Sequence, residues 1–226
     1  MKSRNMEYRS FLLNSRGFSL VELVVVLVIS MFIIGAVIFT SKSQEHNLSV
    51  QDRIVELQDN LRAGIAIMEK DLRMAGYDPE CISPPCTGFI TANSNSLSIT
   101  MKDPLVSSTT NTVSYALYDY QSDGDLDLGR DFNGSGLQPV IMNVDAFDLI
   151  YLDKNGNVLS SPLSTTDMRK IRVVEIAVVA HTEQKDPSIT TSPAFVNLQG
   201  TQIFAPQHDG FRRQVVHSRV LCRNNF

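Results

Sequence analysis

Tryptophan is absent, and only three cysteines occur among 226 residues. Glycine (12) and proline (9) are modest, which excludes collagen-like and low-complexity designs. No G-x-S-x-G, Walker A or H-E-x-x-H string appears, so the commonest hydrolase, NTPase and zinc-protease signatures are missing. The four histidines, His46, His181, His208 and His217, are scattered without metal-ligand spacing. His181 and His217 fall in expected strands and read as surface or satisfied core residues. A surplus of basic charge is lacking too. The net charge is -4, and Lys2, Arg4, Arg9 and Arg16 against Glu7 make residues 1–17 positive. Without them the rest of the chain stands at -7, which argues against a nucleic-acid binder. No internal repeat is present. An enzyme is the class with least support.

What the chain does have is one long apolar run, LVELVVVLVISMFIIGAVIF, from Leu20 to Phe39. Phe18 to Phe39 is 22 residues. At about 1.5 Å per residue that is about 33 Å of helix, against a hydrocarbon core of about 30 Å. An ordinary signal peptide has a shorter apolar region, about 7–15 residues, and ends in an A-x-A-like site; none follows here. The basic leader keeps residues 1–17 in the cytoplasm by the positive-inside rule, and everything beyond Thr40 lies on the far side. A plain signal anchor fits the length and leaves Glu22 unexplained. A carboxylate in a membrane helix costs about 2–3 kcal/mol and implies a partner. The alternative is a carboxylate hydrated at headgroup level.

Arg16-Gly17-Phe18-Ser19-Leu20-Val21-Glu22-Leu23 closely resembles the processing motif of type IV prepilins and type II secretion pseudopilins. The resemblance implies cleavage by a membrane peptidase directly after Gly17 and N-methylation of Phe18. It implies that Glu22, fifth in the mature chain, neutralises the Phe18 amine of a neighbouring subunit. Gly17 presents no side chain to the peptidase, and a charge pair in an apolar bundle fixes register as well as adding stability.

Beyond a polar stretch, Ile54, Leu57, Leu61, Ile65, Met68, Leu72 and Ala75 recur at spacings of three and four. This is a helical stripe, with Asp52, Arg53, Asp59, Arg62, Glu69 and Arg73 opposite. Gly76 is placed to end the helix and Pro79 follows. Gly35 and Gly64 are points of bending or close packing. The segment Asp71-Leu72-Arg73-Met74-Ala75-Gly76-Tyr77 resembles the helix end of PilW-type minor pilins, and more distantly of J-type secretion pseudopilins. Arg73 and Tyr77 read as packing and anchoring residues rather than a site.

From Gly88 the period becomes two. Strands are expected at Phe89–Ala92, Ser96–Met101, Thr112–Tyr120, Val140–Asp153, Ile171–His181 and Gln214–Arg223. Lys154-Asn155-Gly156-Asn157 predicts a hairpin with positive φ at both central residues. The fold class is therefore α+β. The expected divisions are a cleaved leader at 1–17, a transmembrane or filament-core helix at 18–39, its amphipathic continuation at 40–76 and an exported antiparallel β domain at 77–226. Phe211-Arg212-Arg213-Gln214-Val215-Val216 also resembles PilW-type C-termini, more loosely.

Three cysteines allow three single pairings; Cys81 with Cys86 comes first on local separation. Asp123, Asp125, Asp127 and Asp131 lie in a run of alternating acids. The run opens like an EF-hand and then fails it, with Leu128 where glycine and Gly134 where glutamate belong. An irregular Ca²⁺ loop and a solvated strand face are the two readings, the second preferred; no other cofactor is expected. The whole resemblance implies a minor subunit that primes a type IV pilus near its tip. Its partners would be other minor pilins, the major pilin, the prepilin peptidase and the inner-membrane assembly platform. A minor pseudopilin and a membrane-anchored ligand- or calcium-binding domain are the alternatives.

Overall fold

The computed structural model describes residues 17, 19–81, 88–103 and 109–225. It opens with one unbroken helix, α1 (Leu20–Met74). The chain divides into two units between Ser49 and Val50. In the first unit the apolar side chains of α1 are exposed on every side. In the second, the stripe Leu57, Leu61, Ile65, Met68, Leu72 and Ala75 is buried in a common core with the sheets. The helix stops at Met74, and Gly76 follows with φ +77°, a left-handed cap. Its amide donates to Thr100 O, and a Cβ there would sit 2.6 Å from Asn224 O.

The first sheet is an antiparallel meander of five strands, in chain order. They are β1 (Phe89–Ala92), β2 (Ser96–Lys102), β3 (Thr110–Tyr118), β4 (Asp127–Phe132) and β5 (Gln138–Ile141). The second sheet contains β6 (Val144–Leu152), β7 (Val158–Leu159), β8 (Val173–His181) and β11 (Arg213–Leu221), in the order β11-β8-β6-β7. A single-turn helix, α2 (Thr165–Met168), lies between β7 and β8 with Ser164 as its N-cap. The short pair β9 (Phe195–Val196) and β10 (Gln202–Phe204) lies between β8 and β11. Val174, Ile176, Val178 and Ala180 of β8 join the helix core. The alternate residue Glu175 faces the β9–β10 segment, where Gln199 donates to it at 2.7 Å.

Polar groups lock α1 to the sheets. Asp71, buried, accepts from Tyr115 Oη at 2.5 Å and from Arg130 Nε at 2.7 Å, joining the helix to β3 and β4. Burial, then the adjacent Asp71 charge, pushes the Tyr115 phenol far above its ordinary pKa. Asn60 and Met142 exchange two hydrogen bonds, and Ser218 Oγ donates to Glu69 at 2.5 Å. At Gly64 a Cβ would meet Ile141 Cγ1 at 2.1 Å, so helix and sheet touch where only glycine fits.

Three expectations are revised. The single strand expected over Val140–Asp153 is two, β5 and β6, belonging to different sheets. Asn143 breaks it with φ +57°, its amide held by Asp127. The acidic run, expected at most as a solvated strand face, contains β4, which is paired on both sides by β3 and β5. At the β6–β7 hairpin only Gly156 has positive φ, at +83°. Asp153 takes the amides of Asn155 and Asn157, holding Asn155 out of the left-handed region.

Candidate functional site

Gly17 is exposed, and a Cβ there would meet nothing within 4 Å. Phe18, the expected new terminus, lies outside the described residues. The Leu23 amide donates to Ser19 O at 3.1 Å, so helical bonding reaches back to the residue after Phe18. Glu22 stands in the first turn of α1, where a carboxylate meets the positive end of the helix dipole. Leu20 and Phe39 are each 78% exposed, with the apolar run between them exposed as well. This is the one helix among the described residues with a stretch long and apolar enough to cross a membrane. Its interior hydroxyls are satisfied within it: Ser30 donates to Val26 O at 2.7 Å and Thr40 to Ala36 O at 2.9 Å. That suits a medium offering no other acceptors.

The four acids do not form one ligand set. Asp123 and Asp125 lie in the exposed β3–β4 turn, where Asp123 takes the Asp125 amide at 3.0 Å. Asp127 is buried at the start of β4 and accepts from Tyr120 N at 3.2 Å and Asn143 N at 3.0 Å. Asp131, farther along β4, accepts from Gly136 N at 3.1 Å. No group of three or more His, Cys, Asp and Glu side chains able to hold a metal occurs among the described residues. The single strand face expected for these acids is corrected as well, since only Asp127 and Asp131 are in a strand and Asp127 points inward.

Cys81 is disulfide-bonded, Cys222 is a buried free thiol, and Cys86 lies outside the described residues. Arg73 is exposed and pairs with Glu69 one turn back. His217 is exposed and bonds Val196 O at 2.8 Å, as a surface residue does. His181 departs from its expectation: it is buried, yet among the described residues only one of its ring nitrogens has a hydrogen-bond partner. No spacing in the sequence marks it, because its partner Asp145 arrives from β6 through sheet pairing.

Residues 12–38 match the prokaryotic N-terminal methylation motif. No curated protein matches the chain. Among solved structures, a type IV-like pilin from Thermus thermophilus is similar in fold. It is 15% identical with a TM-score of 0.51, over 75% of this chain and 98% of that one. The fold is thus α+β and pilin-like, headed by a prepilin-type methylation motif.

Proposed function

We propose that this chain is a minor structural subunit of a type IV filament, anchored in the inner membrane and then drawn into the filament. The observation carrying this reading is the methylation motif at the head of an unbroken helix that is apolar and exposed at first, then built into a sheet domain. That is the makeup of an assembling subunit rather than of an enzyme. A prepilin peptidase cuts after Gly17, releasing the basic leader 1–17 on the cytoplasmic side. Residues 18–39 form the membrane and filament-core segment, 40–76 continue the helix, and 77–226 complete the exported head, with Cys81 paired to Cys86. Glu22 of one subunit meets the methylated Phe18 amine of the next, a pair whose attraction is strong in an apolar bundle. The resemblance of the Asp71–Tyr77 segment to PilW-type subunits supports a role in priming assembly near the tip, beside other minor pilins, the major pilin and the assembly platform.

The test is the mature N-terminus, read by mass spectrometry after expression with the native peptidase. Methylated Phe18 is expected. An intact leader, where a known prepilin is processed, would overturn the reading in favour of a plain anchored domain. Restoration of piliation, rather than of secretion, in the matching deletion strain separates the pilus from the secretion pseudopilus.

A further inference from the structure

The outermost strand of a sheet leaves a row of amides and carbonyls without ladder partners, and soluble proteins blunt such edges with short strands, proline or bulges. The outer strands here follow that rule with one exception. β7, β9 and β10 are two or three residues long. β5 carries Pro139 and a register shift, and β1 is irregular between Phe89 and Thr91. β11 is nine residues long, contains no proline or lysine, and pairs with β8 without a break from Arg213 to Leu221. The Thr182 amide donates to Arg212 O and the Cys222 amide to Arg172 O. With that parity Gln214, Val216, Ser218 and Val220 bond towards β8, and the backbone groups of Arg213, Val215, His217, Arg219 and Leu221 point outward. No strand lies on that side, and no turn or loop takes those groups among the described residues. The two arginines do not guard the edge either. Arg213 is held by Asp145 and Asp209, and Arg219 by Glu175.

We infer that β11 accepts an extended strand from a different protein chain, one that alternates carboxylate with apolar side chains. The flanks of the edge give that chemistry. Ser218 Oγ donates to Glu69 at 2.5 Å and Asn224 Nδ2 to Arg73 O at 3.0 Å, so α1 borders β11 on one face of the sheet. Arg62, Ala66 and Arg73 are spaced along α1 so that they share a side of the helix with Glu69, and all three are exposed. Arg62 has no ion-pair partner among the described residues. On the opposite face His217 bonds Val196 O, and Val196 and Leu221 are exposed there. Side chains of an added strand would point alternately to the basic border and to this apolar face. Carboxylates suit the first and apolar groups the second. A second copy does not fit, because the edge strands β1, β5, β7, β9, β10 and β11 contain no Asp or Glu. Backbone pairing would supply the attachment, and the alternating side chains its selectivity. Such pairing requires no filament and stands apart from the proposed function.

The experiment is amide hydrogen exchange of the full chain in detergent, resolved by NMR, with and without a synthetic peptide as long as β11 that alternates glutamate with valine and threonine. Without peptide, the Val215, His217 and Arg219 amides should exchange at least about tenfold faster than those of Val216 and Ser218; with it, they should slow by a similar factor. Val215→Pro removes one outward amide and leaves the β8 ladder whole, as proline does at an open edge, and should weaken peptide binding at least about tenfold. Arg62→Glu should weaken it about three- to tenfold, and a peptide with lysine for glutamate should bind wild type at least about tenfold less tightly. Because R62E changes only an exposed helix face, it carries the test even if V215P perturbs the strand. No slowing of the outward amides at the solubility limit of the peptide would overturn the site. Equal binding by wild type and R62E, or of the glutamate and lysine peptides, would overturn the acidic partner. Outward amides already protected in the chain alone, and released by dilution, would overturn it too, by assigning the edge to a second copy.

Discussion

Residues 20–49 and 50–74 are one helix and two kinds of surface. Before Ser49 large apolar side chains point in all directions and stay exposed. After Val50 most of them gather in a stripe whose central members, Leu61, Met68 and Leu72, are 0% exposed, and only Val55 and Ile67 stay on the open side. Secondary structure is therefore not what separates the two parts; the surroundings each can satisfy are. A helix apolar on every face needs lipid or a bundle of its own kind. A striped helix needs one packing partner, and the sheets provide it.

The comparison breaks most sharply at Glu22, the one charge within the apolar run Leu20–Phe39. Glu22→Ala should insert normally into membranes yet enter filaments more than about tenfold less often, because a pair losing one partner in an apolar bundle costs about 3–5 kcal/mol. Quantifying the variant in sheared filaments against membranes checks this, and normal incorporation removes the charge-pair mechanism. Truncation at matched leucines comes next. Leu61→Ala should destabilise the head by about 3–5 kcal/mol in a denaturant melt, whereas Leu27→Ala, in the exposed part, should leave that transition where it is. The two helix glycines should then diverge in sign. Gly64→Ala forces a methyl onto Ile141 and the Val140 carbonyl and should cost about 1–3 kcal/mol. Gly35→Ala meets nothing within 4 Å and should raise helicity in detergent, with propensity favouring alanine by about 1 kcal/mol.

The smallest effect is a pH dependence confined to the head. Asp186 is lowered to about 2, first by Ser188 and then by Arg212, and Asp209 to about 2 by Arg213. A carboxylate depressed on folding binds fewer protons in the folded state. Its stabilisation is whole above about pH 4, the unfolded value, and is lost as pH falls towards 2. Asp186→Asn should flatten the decline of Tm in that window while lowering Tm at neutral pH, and an unchanged acid slope would assign the decline to other groups.

The helix was legible because its signals are local: an uninterrupted apolar run, a three-four stripe and Gly76 as the stop. Strand β1 falls where alternation placed it, and β2, β3, β8 and β11 within two residues of expectation at each end. What escaped depends on distant partners. Val140–Asp153 reads as one strand, since nothing local says that Asp127 will hold the Asn143 amide and turn the chain into a second sheet. β4 was legible only as a solvated strand face, because nothing local shows that β3 and β5 pair with it on both sides and that Asp127 turns inward. At the N-terminus the processing string was readable as a string. The unpartnered nitrogen of His181 was not, because Asp145 and Asp125 reach it from elements 36 and 56 positions away.

Cys222 has a consequence for the order of events in biogenesis. Its thiol is buried at the end of β11, and burial pushes its pKa up to about 12, leaving almost no thiolate to attack another sulfur. A chain oxidised before its last strand closes offers three competing thiols; one oxidised afterwards offers only Cys81 and Cys86. Closure of β11 thus withdraws one of the three sulfurs from exchange, and the strand that completes the second sheet also limits which thiols can compete for Cys81.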